Sequence, residues 1–130
     1  MAQNKWLAFA NEKRCRHADS LLEQKKISWV MGRRYHFNIG DVVFLFMSND
    51  RCVRFKTVVK ADNCEREDSD YWIGEAPHDI TYRLEFVKEY KGSKLSEHDL
   101  KKYGFKDGSS LQHPMKGNKE LLDYIDSEFN

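Results

Sequence analysis

The chain has 130 residues, 40% of them hydrophobic and 13% aromatic, with a formal net charge of +1. That length fits one domain, 1–130, able to bury a core without metal or disulfides, and the composition excludes a disordered chain. No apolar run approaches the roughly 18 residues of a membrane span, and Met1-Ala2-Gln3-Asn4-Lys5 lacks the apolar stretch of a signal peptide. The three cysteines (Cys15, Cys52, Cys64) are widely spaced and form neither a C-x-x-C pair nor a His-rich cluster. Reduced thiols in a cytoplasmic protein are therefore expected, with no disulfide, metal or cofactor.

In chain order, Lys5 to Ala10 (KWLAFA) reads as a first strand, with Trp6 assigned to the core or to a barrel rim. His17 to Lys26 is expected to be a short amphipathic helix with Ala18, Leu21 and Leu22 on its buried face. Ile27 to Met31 returns to strand content and ends at Gly32-Arg33-Arg34. Asn38 to Asp41 is a turn, since Gly and Asn accept positive φ. Val42 to Met47 (VVFLFM), β-branched and aromatic in content, reads as a fully buried strand. After a turn at Ser48-Asn49-Asp50, Val53 to Val59 alternates as a half-buried strand should, which makes the two an antiparallel hairpin.

Asp62 to Asp79 is expected to be a long acidic loop interrupted by Tyr71-Trp72-Ile73, followed by a strand over Thr81 to Tyr90. Ser96, with Asp99 three residues on, is an N-cap signal for a helix stopping at Gly104. Gly108 to Gly117 is loop, and Asn118 caps a last helix to Glu128 that buries Leu121, Leu122 and Ile125. The order predicts an α+β fold, a strongly curved sheet closing on itself with flanking short helices.

The near-neutral total charge conceals two opposite segments. From Glu12 to Arg34 seven basic residues stand against three acids, whereas from Asp62 to Asp79 seven acids stand against Arg66 alone. The basic segment would attract phosphate, in a salt-dependent way; each run also reads as ordinary solvated surface.

Taken together, a strand ending in Phe-Ala-Asn (Trp6 to Asn11), the short helix, the Ile-x-Trp segment (Ile27 to Met31), Gly40-Asp41 before an apolar strand (Ile39 to Ser48), Arg51 to Lys60 and Tyr82 to Tyr90 form a recognisable series. With the tail segments Leu100 to Phe105, Leu111 to Met115 and Leu121 to Ile125, it resembles the EVE and YTH branches of the PUA-like superfamily over most of the chain. The resemblance implies a reader that takes one flipped, modified base (methylated or hydroxymethylated) into an aromatic-lined pocket. The ligand it implies is modified DNA, and the role that of the specificity part of a modification-dependent restriction system. The nuclease or motor would then be a partner in cis or trans.

On that resemblance Trp29 falls at the first pocket wall and Asn11 at a base-edge contact, with Ser28 and Val30 flanking the wall. Tyr71 or Trp72 supplies the second wall. Ser48 and Asn49 are expected near the pocket or the phosphates, and Arg14, Arg16, Arg33 and Arg34 at the phosphates. The plainer alternatives are that Trp29 is core, Trp72 a packing lid and Asn11 a turn residue. The acidic loop beside the second wall, which would repel phosphate, departs from the pattern.

The five histidines lie in different segments with no nucleophile elbow or H-E-x-x-H helix. Glu85 and Lys88 would point to opposite faces of a strand. The chain is therefore read as non-catalytic. An alternative is an RNA-binding or protein-interaction PUA-like module whose pocket is plugged, for instance by Met31 or Phe46. A ligand-sensing domain, or an enzyme of the related ASCH type, is a third reading, for which no catalytic Lys–Glu arrangement is visible.

Overall fold

The structure, a computed structural model, describes residues 3–32, 36–106, 115 and 117–130. Five strands make one sheet: β1 (Lys5–Ala10), β2 (Lys26–Val30), β3 (Val42–Met47), β4 (Cys52–Glu65) and β5 (Ile80–Glu89). Their order is β1-β3-β4-β5-β2, parallel between β1 and β3 and antiparallel elsewhere. Among the described residues three α-helices flank it: α1 (His17–Glu23), α2 (Glu97–Lys101) and α3 (Lys119–Glu128).

The strand alternation distributes side chains between two apolar cores. One contains Trp6, Ala8 and Ala10 of β1, Val43, Leu45 and Met47 of β3, and Leu21 of α1. The other contains Leu7, Val42, Phe44 and Phe46, covered by Leu100 of α2 and Leu121, Leu122 and Ile125 of α3. β3 lies between the two, so every one of its residues is buried. That is the physical reason for an uninterrupted apolar run on a strand with period-two geometry. Trp6 is a core residue, its indole Nε1 donating to buried Asp41 at 3.0 Å.

Several boundaries differ from expectation. α1 stops at Glu23 because Lys25 takes φ 64° to turn the chain into β2. Leu22 is exposed, and the buried face of α1 is His17, Ala18, Ser20 and Leu21. β4 continues to Glu65, into the segment expected to be acidic loop, by pairing irregularly with β5; Asn63 there has φ 52°. Ser96 and Asn118 both cap as expected, their side chains accepting from the amides of Asp99 and Leu121. The expected loop 108–117 lies largely outside the described residues. β1 and β2 are the two edges of the sheet, and its curvature brings them to a shared cavity.

Candidate functional site

The cavity, about 300 Å³, is lined by Phe9 and Asn11 from the end of β1, by Arg14 and His17, by Ser28, Trp29 and Val30 of β2, and by Arg66, Trp72, Pro77 and Asp79 from across the sheet edge. Trp29 follows Ile27 on the same face of β2 and packs against the first core while its ring borders the cavity. It is thus both a core side chain and a wall. Its indole Nε1 is buried with no hydrogen-bond partner, which costs about 1–3 kcal/mol of desolvation.

Trp72 is held in place from three sides. Its backbone bridges to Cys15, and flanking bonds run from the Arg16 amide to the Tyr71 carbonyl (2.8 Å) and from the Ile73 amide to the Arg14 carbonyl (2.9 Å). Its indole Nε1 donates to Asp68 Oδ1 at 3.1 Å. The Arg66 guanidinium stands 4.7 Å from its ring centroid. Arg66 in turn donates to Asp68 (2.9 Å) and, through Nε and Nη2, to both oxygens of Asp79 (3.1 Å each). The second Asp68 oxygen accepts the Ser28 amide at 3.0 Å, and Ser28 Oγ accepts the Glu67 amide at 2.8 Å. Both Asp68 and the Arg66 side chain are almost fully buried. Burial penalises the Arg66 charge, but the two carboxylates outweigh it and hold the guanidinium above its ordinary pKa.

Part of the acidic stretch is engaged by cations. Arg66 is shared by Asp68 and Asp79, and Glu67 pairs with both Lys26 (2.9 Å) and Arg83 (2.7 Å), so these three carboxylates face three cations. The negative charge nearest the cavity is consumed in ion pairs.

On the opposite side, Glu12 caps α1: its carboxylate accepts the amides of His17 (2.6 Å) and Ala18 (3.4 Å) and contacts His17 Nδ1 at 3.3 Å. Burial alone would raise the Glu12 pKa, but these His17 and Ala18 contacts leave it below the usual value. Ser48 Oγ accepts the Glu12 amide at 2.8 Å. Asn11 Oδ1 accepts the Lys13 amide at 3.1 Å, so Asn11 is a turn residue that also lines the cavity.

Of the residues singled out in the sequence, Asn11, Arg14, Ser28, Trp29, Val30 and Trp72 meet at one cavity. Tyr71 does not: it lies over α1, its hydroxyl 3.3 Å from Glu23 and its ring under Arg16. Arg16 is engaged there and with Asp19 and the Asp70 carbonyl. Ser48 acts on Glu12 instead of lining the cavity, and Asn49 is exposed in the hairpin turn. Arg33 and Arg34 lie outside the described residues. Met31 and Phe46 do not plug the cavity; Met31 Sδ accepts the Asn63 amide and Phe46 stacks on Phe9. Phe9, His17, Arg66, Pro77 and Asp79 were not singled out. Arg66 had a signal, as the lone cation in an acidic stretch; His17 had none, because its partner Glu12 stands at no motif spacing.

Among the described residues no cluster of three or more metal-ligating side chains occurs, and no helix is long and apolar enough to cross a membrane. No protein-family model and no curated protein sequence matches the chain. Solved structures do. The ASCH protein from Zymomonas mobilis superposes with a TM-score of 0.62 at 11% identity, covering 97% of this chain and 96% of its own. A hypothetical protein from Leishmania major gives 0.62 at 19% identity over 97% of this chain and 94% of its own. A protein from Pseudomonas putida gives 0.62 at 16% identity over 97% and 99%. The fold is therefore α+β and PUA-like, the architecture of ASCH domains.

Proposed function

We propose that the cavity takes a single base swung out of a nucleic-acid strand, and that the chain is a non-catalytic reader of the EVE/YTH kind built on the PUA-like fold. One observation carries this reading: Trp29 and Trp72, from opposite sides of the sheet edge, line one unfilled cavity together with polar Asn11, His17 and Ser28. Its volume of about 300 Å³ stands at the lower end of the roughly 300–1,000 Å³ of small-molecule sites, which suits one planar heterocycle. Extracting a base costs a few kcal/mol, and stacking returns about 1–3 kcal/mol per base. Phe9, Val30 and Pro77 give the lining apolar surface against which a methyl or hydroxymethyl substituent would pack. Arg14 is exposed at the cavity and makes no ion pair among the described residues, so it is free for a phosphate. The ligand is modified DNA, and cleavage in a restriction system would be carried out by a partner nuclease.

Fluorescence anisotropy with oligonucleotides carrying 5-methylcytosine, 5-hydroxymethylcytosine or N6-methyladenine tests this. The wild-type protein should prefer one modified strand over its plain counterpart, and Trp29→Ala and Trp72→Ala should each weaken that binding about tenfold or more. Equal binding of modified and plain strands by both wild-type and Trp29→Ala proteins would refute it.

A further inference from the structure

His17 is the cavity residue for which neither the resemblance nor the ion-pair scaffold supplies a role. Its side chain is only 10% exposed, and it lines the cavity. Its ring is tilted 41° to Trp29 with centroids 6.0 Å apart. Nδ1 faces Glu12 Oε2. Glu12 is locked by the amides of His17 and Ala18 and by Ser48, and the His17 and Ala18 contacts hold it as a carboxylate. A carboxylate can only accept, so Nδ1 carries the proton, and in the neutral form of the ring the lone pair lies at Nε2. Nε2 has no hydrogen-bond partner among the described residues, and it is not sealed, since the sole sealed and unpartnered side-chain nitrogen among them is Trp29 Nε1.

We propose that His17 Nε2 accepts a hydrogen bond from the exocyclic amino group of the bound base, making the site selective for amino-bearing bases of the cytosine or adenine type over their keto counterparts. This rests on the base-reading function proposed above. Asp79 supplies a second acceptor on the cavity wall, its oxygens already oriented by Arg66. Asn11 and Arg14 offer donors for a ring nitrogen or a carbonyl on the same base edge. A keto oxygen in place of the amino group would set lone pair against lone pair and leave a buried acceptor unpaired. The charged groups facing His17 are Glu12 at its ring, Arg14, Arg66 and Asp79 around the cavity, Asp68 behind Arg66, and Arg16 and Asp19 on its own turn. Cys15, two residues away, stays a neutral thiol because burial pushes it up to about 12.

The test uses single strands that differ in one central base: 5-methylcytosine against thymine, and adenine against hypoxanthine. The wild-type protein should bind the amino member of a pair about tenfold more tightly. His17→Phe should reduce that ratio to near unity, while His17→Gln, which keeps an acceptor oxygen, should retain part of it. His17→Gln, which keeps a polar side chain, also keeps the test readable if His17→Phe fails to fold. A preference that persists undiminished in folded His17→Phe, or that His17→Gln leaves no trace of while binding is kept, overturns the assignment. So does equal binding of both members by the wild type; if that binding is still lost in Trp29→Ala, the base-reading function stands without the His17 role. No binding of any oligonucleotide overturns both.

Discussion

Asp68 shows how much of the site depends on one carboxylate. It accepts from Arg66, from the Trp72 indole and from the Ser28 amide, thereby tying one wall of the cavity to β2 beside the other. Breaking a buried pair by removing one partner leaves an uncompensated charge, and such losses run to about 3–5 kcal/mol. Asp79 still faces Arg66 after the change, so Asp68→Ala should fall near the lower end, about 3 kcal/mol, in urea unfolding. Releasing the Trp72 Nε1 bond should also alter tryptophan emission in the folded protein. A loss of stability with unchanged emission would mean that Asp68 supports the fold without fixing the wall. Trp29 presents the converse case. Its unpaired indole nitrogen is a cost the fold bears, so Trp29→Phe, which removes the donor and keeps an apolar ring, should cost less than about 1.5 kcal/mol while weakening stacking on a bound base.

At the scale of elements, α1 and the segment after β4 are short and individually weak. α1 spans seven residues with no side-chain cap from Arg16, and the 3₁₀ turn Ser69–Tyr71 buries none of its residues. They hold each other through the Arg16–Tyr71 and Ile73–Arg14 bonds, with Glu12 capping α1 from the loop before it. The strands, by contrast, were legible in the sequence. β1 and β3 appear at their predicted bounds because alternation and an apolar run are local signals. The expected loop from Asp62 onward failed because Asp62 to Glu65 extend β4 by pairing with β5, a non-local gain that overrides polar composition. Likewise Trp29 and Trp72 were set at one pocket only through the resemblance, with Tyr71 as an open alternative, since their approach depends on the curvature of the whole sheet. Tyr71, adjacent to Trp72, turns to α1 because consecutive residues of the segment face different ways. α3 was legible to its cap, and its role is measurable: Asn118→Ala removes the bond to the Leu121 amide and should destabilise by about 1 kcal/mol, read from chemical denaturation.

The whole molecule is organised around β3, whose two faces feed the two cores. Unfolding should therefore be one cooperative transition, with Phe44→Ala costing about 3–5 kcal/mol and lowering the midpoint for the sheet and for α3 together. Charge acts on top of this in a definite direction. Glu67 is held below the usual carboxylate range by hydrogen bonds from Arg83 and Lys26. Asp126 is raised by burial but lowered more by Lys56 and Lys5, and Glu12 is lowered in the same contested way by His17. A carboxylate whose folded pKa is depressed binds fewer protons folded than unfolded at acid pH, so the stability it contributes is complete above the unfolded value and is lost as pH falls through the folded one. These pairs lie at or near the surface, and each contributes a modest amount. Their sum has a sign that can be checked: the urea midpoint should be flat above about pH 6 and fall steadily below about pH 5. Salt should shrink that acid-side slope by screening the Glu67 and Asp126 pairs and should act less on Glu12, whose side chain is only 13% exposed. An acid-side slope unchanged by salt would show instead that the more buried Glu12 dominates the acid response.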